Sequence, residues 1–250
     1  MIRAALFGLL LLAPAATARA EDLVSTVSNA NVAITSSFDG ESLSLFGNVE
    51  PDDAQPAVKG PYDVIIVITG PSADRVARLK TNVLGLWMNT EQAEYDPFPT
   101  YYHVLSSNPL DKIADRQLLE DKHILPDAQA RIAAKPSPYS EAFAGQLISL
   151  MTARGLFGID ELGVKFLSPT AYAAKLDLPA DISNGLFITQ TYLFKDGRLL
   201  AQRGDSFAVN KTGFERFLFT AAHDQPALYG LACVALALLT GWLGGVVFRR

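Results

Sequence analysis

The sequence predicts a mainly β fold with a helical insertion (α+β): a β-sandwich-like exported domain carried on one C-terminal transmembrane helix. Three observations predict it. Short alternating runs separated by Gly and Pro turns fill residues 21–108 and 164–211. A charged stretch rich in Ala and Leu, residues 109–163, reads as two or three helices. Residues 227–248 carry no charged side chain and end on Arg249 and Arg250. Two small β units flanking a helical hairpin is the competing architecture, and strand spacing does not separate the two.

In chain order, Arg3, an apolar run over residues 4–13, Pro14 and Ala18-Arg19-Ala20 make a signal-peptide pattern over residues 1–20. Val32, Ile34, Ser36 and Phe38 alternate with their neighbours. Asp39-Gly40 follows, then Leu43, Leu45, Gly47 and Val49 alternate, which predicts a hairpin. Residues 50–62 are loop, marked by Pro51, Pro56 and Pro61. Residues 64–68 form a continuous β-branched run, expected to be a strand buried on both faces. Residues 83–88 and 101–105 are further strands, with Pro97 and Pro99 in the loop between them.

The clearest helix is residues 138–154, capped by Ser137 and ended by Gly155. Phe143, Leu147, Leu150 and Met151 fall on one of its faces. Residues 172–178 alternate, and residues 186–194 form a long strand. Asp196-Gly197 is a second tight hairpin. Residues 199–201 return, and 207–209 are a last short strand. Thr212-x-x-Glu215 then opens a juxtamembrane amphipathic helix over residues 212–223. Residues 227–248 are long enough, at about 1.5 Å per residue, to cross a hydrocarbon core of about 30 Å. The closing arginines place the C-terminus in the cytoplasm and the domain in the periplasm.

Composition narrows the function. The chain is 49% hydrophobic and 10% aromatic, enough for a substantial core. Without Arg3, Arg19, Arg249 and Arg250, 17 basic side chains face 26 acidic ones, a net charge of −9. That argues against nucleic acid, whose binding needs Lys and Arg on phosphates. The one cysteine, Cys233, lies in the membrane segment, so the exported part has no disulfide and no Cys nucleophile. His103, His123 and His223 share no ligand spacing, so no metal is expected. Gly-rich phosphate cradles and a G-x-S-x-G elbow are absent. No cofactor and no catalytic residue is assigned.

Two features stand out. Residues 87–103 combine Trp87, Asn89, Tyr101, Tyr102 and His103, the aromatic and polar mixture of a ligand pocket. The plainer reading puts Trp87, Phe98 and one tyrosine in the core. In the membrane segment Cys233, Ala237, Gly241 and Gly245 recur every four residues, a small-residue stripe on which another helix can lie.

The order of short motifs carries a resemblance. It runs from Phe38-x-Gly40 through Asp63-Val-Ile-Ile-Val-Ile-Thr-Gly-Pro71, Lys80, Gly85-Leu-Trp-Met-Asn89 and Pro99-x-Tyr-Tyr102. It continues with Leu176-x-Leu-Pro179, Asp196-Gly197, Phe207-x-Val-x-Lys-x-Gly213 and the anchor from Tyr229-Gly230. Over nearly the whole mature chain this resembles a family of alphaproteobacterial transmembrane proteins of unknown function. The resemblance implies a Gram-negative envelope protein, often encoded beside a permease of the sulfite-exporter type. It transfers no functional residues. The expected role is an accessory or assembly partner of an inner-membrane complex, held by the lipid bilayer and contacting a membrane partner or itself through the helix. The alternative is a periplasmic ligand-binding module with its pocket near Trp87–His103.

Overall fold

A computed structural model describes residues 22–35, 38–50, 61–212, 218 and 221–247. The expected signal peptide and most of the expected juxtamembrane helix lie outside these residues.

Twelve strands and five helices are described. Strands β1 (Asp22–Val27), β3 (Glu41–Glu50), β9 (Val164–Phe166) and β10 (Ala171–Leu178) form one sheet, in the order β1-β3-β10-β9. The second has the order β2-β12-β11-β4-β7-β8. Its members are β2 (Asn31–Ile34), β4 (Asp63–Thr69), β7 (Tyr102–Ser106), β8 (Phe157–Glu161), β11 (Gly185–Lys195) and β12 (Arg198–Lys211). Strands from both sides of the helical block interleave in each sheet, which rules out two separate β units. A third, two-stranded sheet is a long hairpin of β5 (Ser72–Val83) and β6 (Leu86–Pro99).

Alternation explains which face each strand buries. Leu43, Leu45 and Val49 of β3 are buried with Tyr172, Ala174, Leu176 and Leu178 of β10. From the other sheet, Phe187, Thr189, Thr191 and Leu193 are buried on one face of β11. The two sheets meet where Ser25 Oγ and Thr191 Oγ1 hydrogen-bond at 3.2 Å. Gly47 is required there, because a β-carbon would stand 2.1 Å from the hydroxyl oxygen of Tyr172 and 2.5 Å from the carbonyl of Val24.

Strand β4 is buried on both faces, as its β-branched run predicts. Farther along the same sheet, β7 and β8 contact the helical block: α1 (Leu110–Ile113), α2 (Arg116–Asp121), α3 (Pro126–Ala133) and α4 (Ser140–Ala153). The block is a crossover between β7 and β8, which pair in parallel. Tyr102 fastens it by donating its hydroxyl to the carbonyls of His123 (2.7 Å) and Ile124 (3.1 Å). Helix α5 (Pro226–Val247) follows, free of charged side chains and long enough to span a membrane, with none of its described residues buried.

Several expectations are corrected. The Asp39-Gly40 hairpin does not form: β2 pairs with β12 and β3 with β1 and β10, so the chain changes sheets between Ile34 and Glu41. The Asp196-Gly197 hairpin does form, with both residues at positive φ (47° and 77°). Residues 83–88 are a strand end, a turn and a new strand. Pro97 and Pro99 lie inside β6 rather than in a loop. Residues 157–161, placed in the helical stretch, are β8. The strands expected at 199–201 and 207–209 are one, β12. Helix α4 has Tyr139 at its N-cap position, and Ser137 Oγ instead accepts the Tyr139 N–H.

Candidate functional site: a protruding hairpin and a polar cluster

The five residues expected to share a pocket lie in three places. Trp87 and Asn89 are on the outer part of the β5–β6 hairpin, and Trp87 is 70% exposed. Tyr102 faces the helical block. Tyr101 and His103 lie on the opposite face of that strand, toward the first sheet, with rings stacked at 5.9 Å. Only these two come together.

The hairpin is braced at its base and free beyond it. Tyr95, fully buried, donates its hydroxyl to the Ser140 carbonyl at 2.6 Å. Lys135 N–H donates to the Glu94 carbonyl at 2.9 Å, and its ammonium lies 3.3 Å from Asp96 and 3.6 Å from Glu94. Asp96 beside it raises the pKa of Lys135, and the same carboxylate raises that of Asp74. Phe98 anchors the innermost rungs, stacked on Phe157 at 5.4 Å and edge-on to Tyr95 at 6.2 Å.

At the Arg78–Gln92 rung Ser137 Oγ still donates to the Gln92 carbonyl at 3.3 Å, and beyond it the described residues of the ribbon are exposed apart from half-buried Thr81 and Glu91. Thr81 and Thr90 bridge its strands at 3.1 Å. The turn is Leu84-Gly85, both at positive φ (51° and 85°), as a two-residue type I′ connection requires. Asn82 Oδ1 accepts the Gly85 N–H at 2.9 Å. Leucine in the left-handed region costs about 1 kcal/mol where Asn or Gly would not. The sequence pattern reads residues 83–88 as one strand and does not place this turn.

The polar cluster lies inside. Thr189, Ile68 and His103 are in register across three strands. Tyr101 Oη, His103 Nδ1 and Thr189 Oγ1 are buried and have no hydrogen-bond partner among the described residues. Burial raises the Tyr101 pKa, and Asp177 adds to it. Burial lowers that of His103, against an opposing pull from Asp160. Asp160 and Asp177 both line an open groove of about 420 Å³, with Lys165 and Lys175. Gly158 leaves room for the imidazole, since a β-carbon there would be 2.6 Å from it. Among the described residues no three His, Cys, Asp or Glu side chains come together as metal ligands.

In α5, Cys233 is exposed, and β-carbons at Gly241 and Gly245 would meet nothing within 4 Å. The stripe is therefore open to a neighbour.

These features define a membrane protein: a mainly β domain with helical parts on a single C-terminal span. Residues 22–250 match the family described as "Putative transmembrane protein (Alph_Pro_TM)", and the chain belongs to that family. A comparison with curated proteins finds no match.

Proposed function

We propose that the chain is a non-enzymatic accessory protein of the inner membrane, its β domain in the periplasm and its C-terminus in the cytoplasm. It works by contact with an inner-membrane partner or a second copy through α5. The observation that carries this is the bare span: among the described residues none of α5 is buried, and β-carbons at Gly241 and Gly245 would meet nothing. Close approach of backbones at Gly241 and Gly245 would provide the van der Waals contact that drives helix association in lipid. The partner class offered by the resemblance is a permease of the sulfite-exporter type. Crosslinking through native Cys233 in membranes of the source cell, followed by mild-detergent capture, tests the reading. Gly241→Leu should lose the crosslinked species while still inserting, since leucine inserts favourably. Unchanged crosslinks in that variant would reduce α5 to a plain anchor.

A second reading rests on the polar atoms of Tyr101, His103 and Thr189 that lack a partner among the described residues, the first two lying within the electrostatic reach of Asp177 and Asp160, which line the open groove. Buried groups of this kind usually have partners, and a small polar ligand or bound water would supply them. In this reading Trp87 and Asn89 stand apart from the pocket. Native mass spectrometry of protein from its own membrane should show a bound small molecule that the Tyr101→Phe, His103→Phe pair releases. Identical spectra for both forms would remove the ligand-binding reading.

A further inference from the structure

The free end of the β5–β6 hairpin carries five apolar side chains around its turn. Val83, Leu84, Leu86, Trp87 and Met88 are 42%, 100%, 68%, 70% and 52% exposed. Leu84 is the most telling. It occupies a left-handed turn position that polar residues fill at lower cost, and it touches nothing that would compensate. An unfavourable residue retained at a fully exposed apex points outward for its explanation.

The arrangement distinguishes the kind of surface. Val83 pairs with Leu86, and Thr81 with Met88, so Val83, Leu86 and Met88 share one face of the ribbon. Asn82 pairs with Trp87 and Lys80 with Asn89, placing Trp87 on the other face beside Lys80. Leu84 caps the end. The apolar groups thus surround the tip. A flat protein surface would cover one face of a ribbon and leave the other in water, whereas a fluid apolar medium would take the tip from all sides.

Charge agrees. Residues 79–90 contain one charge, Lys80, and no acid, in a domain that is otherwise strongly acidic. The tip is therefore the part of the domain least repelled by anionic headgroups. The six rungs from Arg78–Gln92 to the turn extend about 20 Å at roughly 3.3 Å per residue. Helix α5 already holds the domain at a bilayer, so tip insertion is an intramolecular event that needs little intrinsic affinity.

We infer that the β5–β6 tip inserts into the interface of the same bilayer that α5 spans. Leu84, Leu86 and Met88 enter the acyl boundary, Trp87 sits at headgroup level and Lys80 reaches the phosphates. Tryptophan favours that depth because its ring is apolar and its N–H finds a partner there. The domain is then held at two points rather than swinging on one tether.

The chain has two tryptophans, Trp87 and Trp242, so Trp242→Phe leaves Trp87 as the sole reporter. The full chain carrying that change is reconstituted in vesicles of phosphatidylethanolamine and phosphatidylglycerol. A parallel set contains lipids brominated on the acyl chain near the headgroup. Insertion predicts a blue-shifted emission, severalfold quenching by the bromolipid and weak quenching by aqueous iodide. Adding Leu84→Asp should reverse both quenching results without lowering the melting temperature, since aspartate suits that turn position. Free iodide access with no bromolipid quenching would overturn the inference. So would a blue shift that ignores bromolipid and grows with protein density, which would put the tip against a second copy instead.

Discussion

Two aromatic residues eleven positions apart should respond oppositely to truncation. Phe98 is fully buried, stacked on Phe157 and edge-on to Tyr95, where the hairpin joins the core. Phe98→Ala removes that ring and leaves a cavity the surrounding aromatics cannot fill, which costs about 3–5 kcal/mol. In a domain of this size each kcal/mol moves the melting temperature by about 2–4 °C. A loss near 4 kcal/mol therefore lowers it by about 8–16 °C, a large share of a typical stability of about 5–15 kcal/mol. Trp87→Ala removes a larger side chain from a site that is 70% exposed, so its effect should stay within about 0.5 kcal/mol. The assay is thermal unfolding of the full chain in mild detergent, followed by the β signal in circular dichroism, because α5 stays helical in micelles. Comparable losses in the two variants, or a larger loss at Trp87, would refute the division of the hairpin into a core-anchored base and a free arm.

Gly47→Ala should destabilise by about 1–3 kcal/mol or more, since the new methyl meets both the Tyr172 ring and the Val24 carbonyl; urea titration measures it. His103 supplies a pH dependence. Burial lowers its folded pKa, so the unfolded chain binds the proton more readily. Its contribution to stability is present above the unfolded value of about 6.5 and is lost as pH falls from there through the folded value. His103→Phe keeps a ring against Tyr101 and should flatten the stability profile in that window; an unaltered slope would refute the assignment. For orientation, a periplasm-dependent reporter fused after Ala222 should be active and one fused after Arg250 silent, while the reverse pattern would invert the topology.

Much of the fold is legible because it follows from local pattern. The β-branched run of β4 reads as buried on both faces and is, and the alternation of β10 matches its burial. The anchor is legible from hydropathy alone. The failures have a common cause in long-range pairing. Asp39-Gly40 and Asp196-Gly197 are the same dipeptide between alternating runs, yet only the second closes a hairpin. At Gly40 a β-carbon would lie 2.8 Å from the Leu178 carbonyl, so tight packing between distant segments fixes that bend. Strands β1, β5 and β8 escaped detection because their outward faces are polar or mixed. Trp87 and Phe98 looked alike in composition, and nothing local says that one hairpin rung is inside and another outside. The Tyr101–His103 stack was within reach, since residues two apart on a strand share a face. Its link to Asp160 and Asp177 was not.

The interleaving of strands has a consequence for how the domain is made. Among the described residues β2 pairs with β12 alone, so Asn31 waits for Ala208 before its strand is satisfied. A chain emerging from its N-terminus first cannot close the larger sheet until nearly all of it has been synthesised. Loop-closure entropy over such separations makes assembly slow and leaves the edge of β2 open meanwhile. Strand β12 is also the last described strand before α5. Completion of the sheet and arrival of the anchor are thus adjacent events in biogenesis.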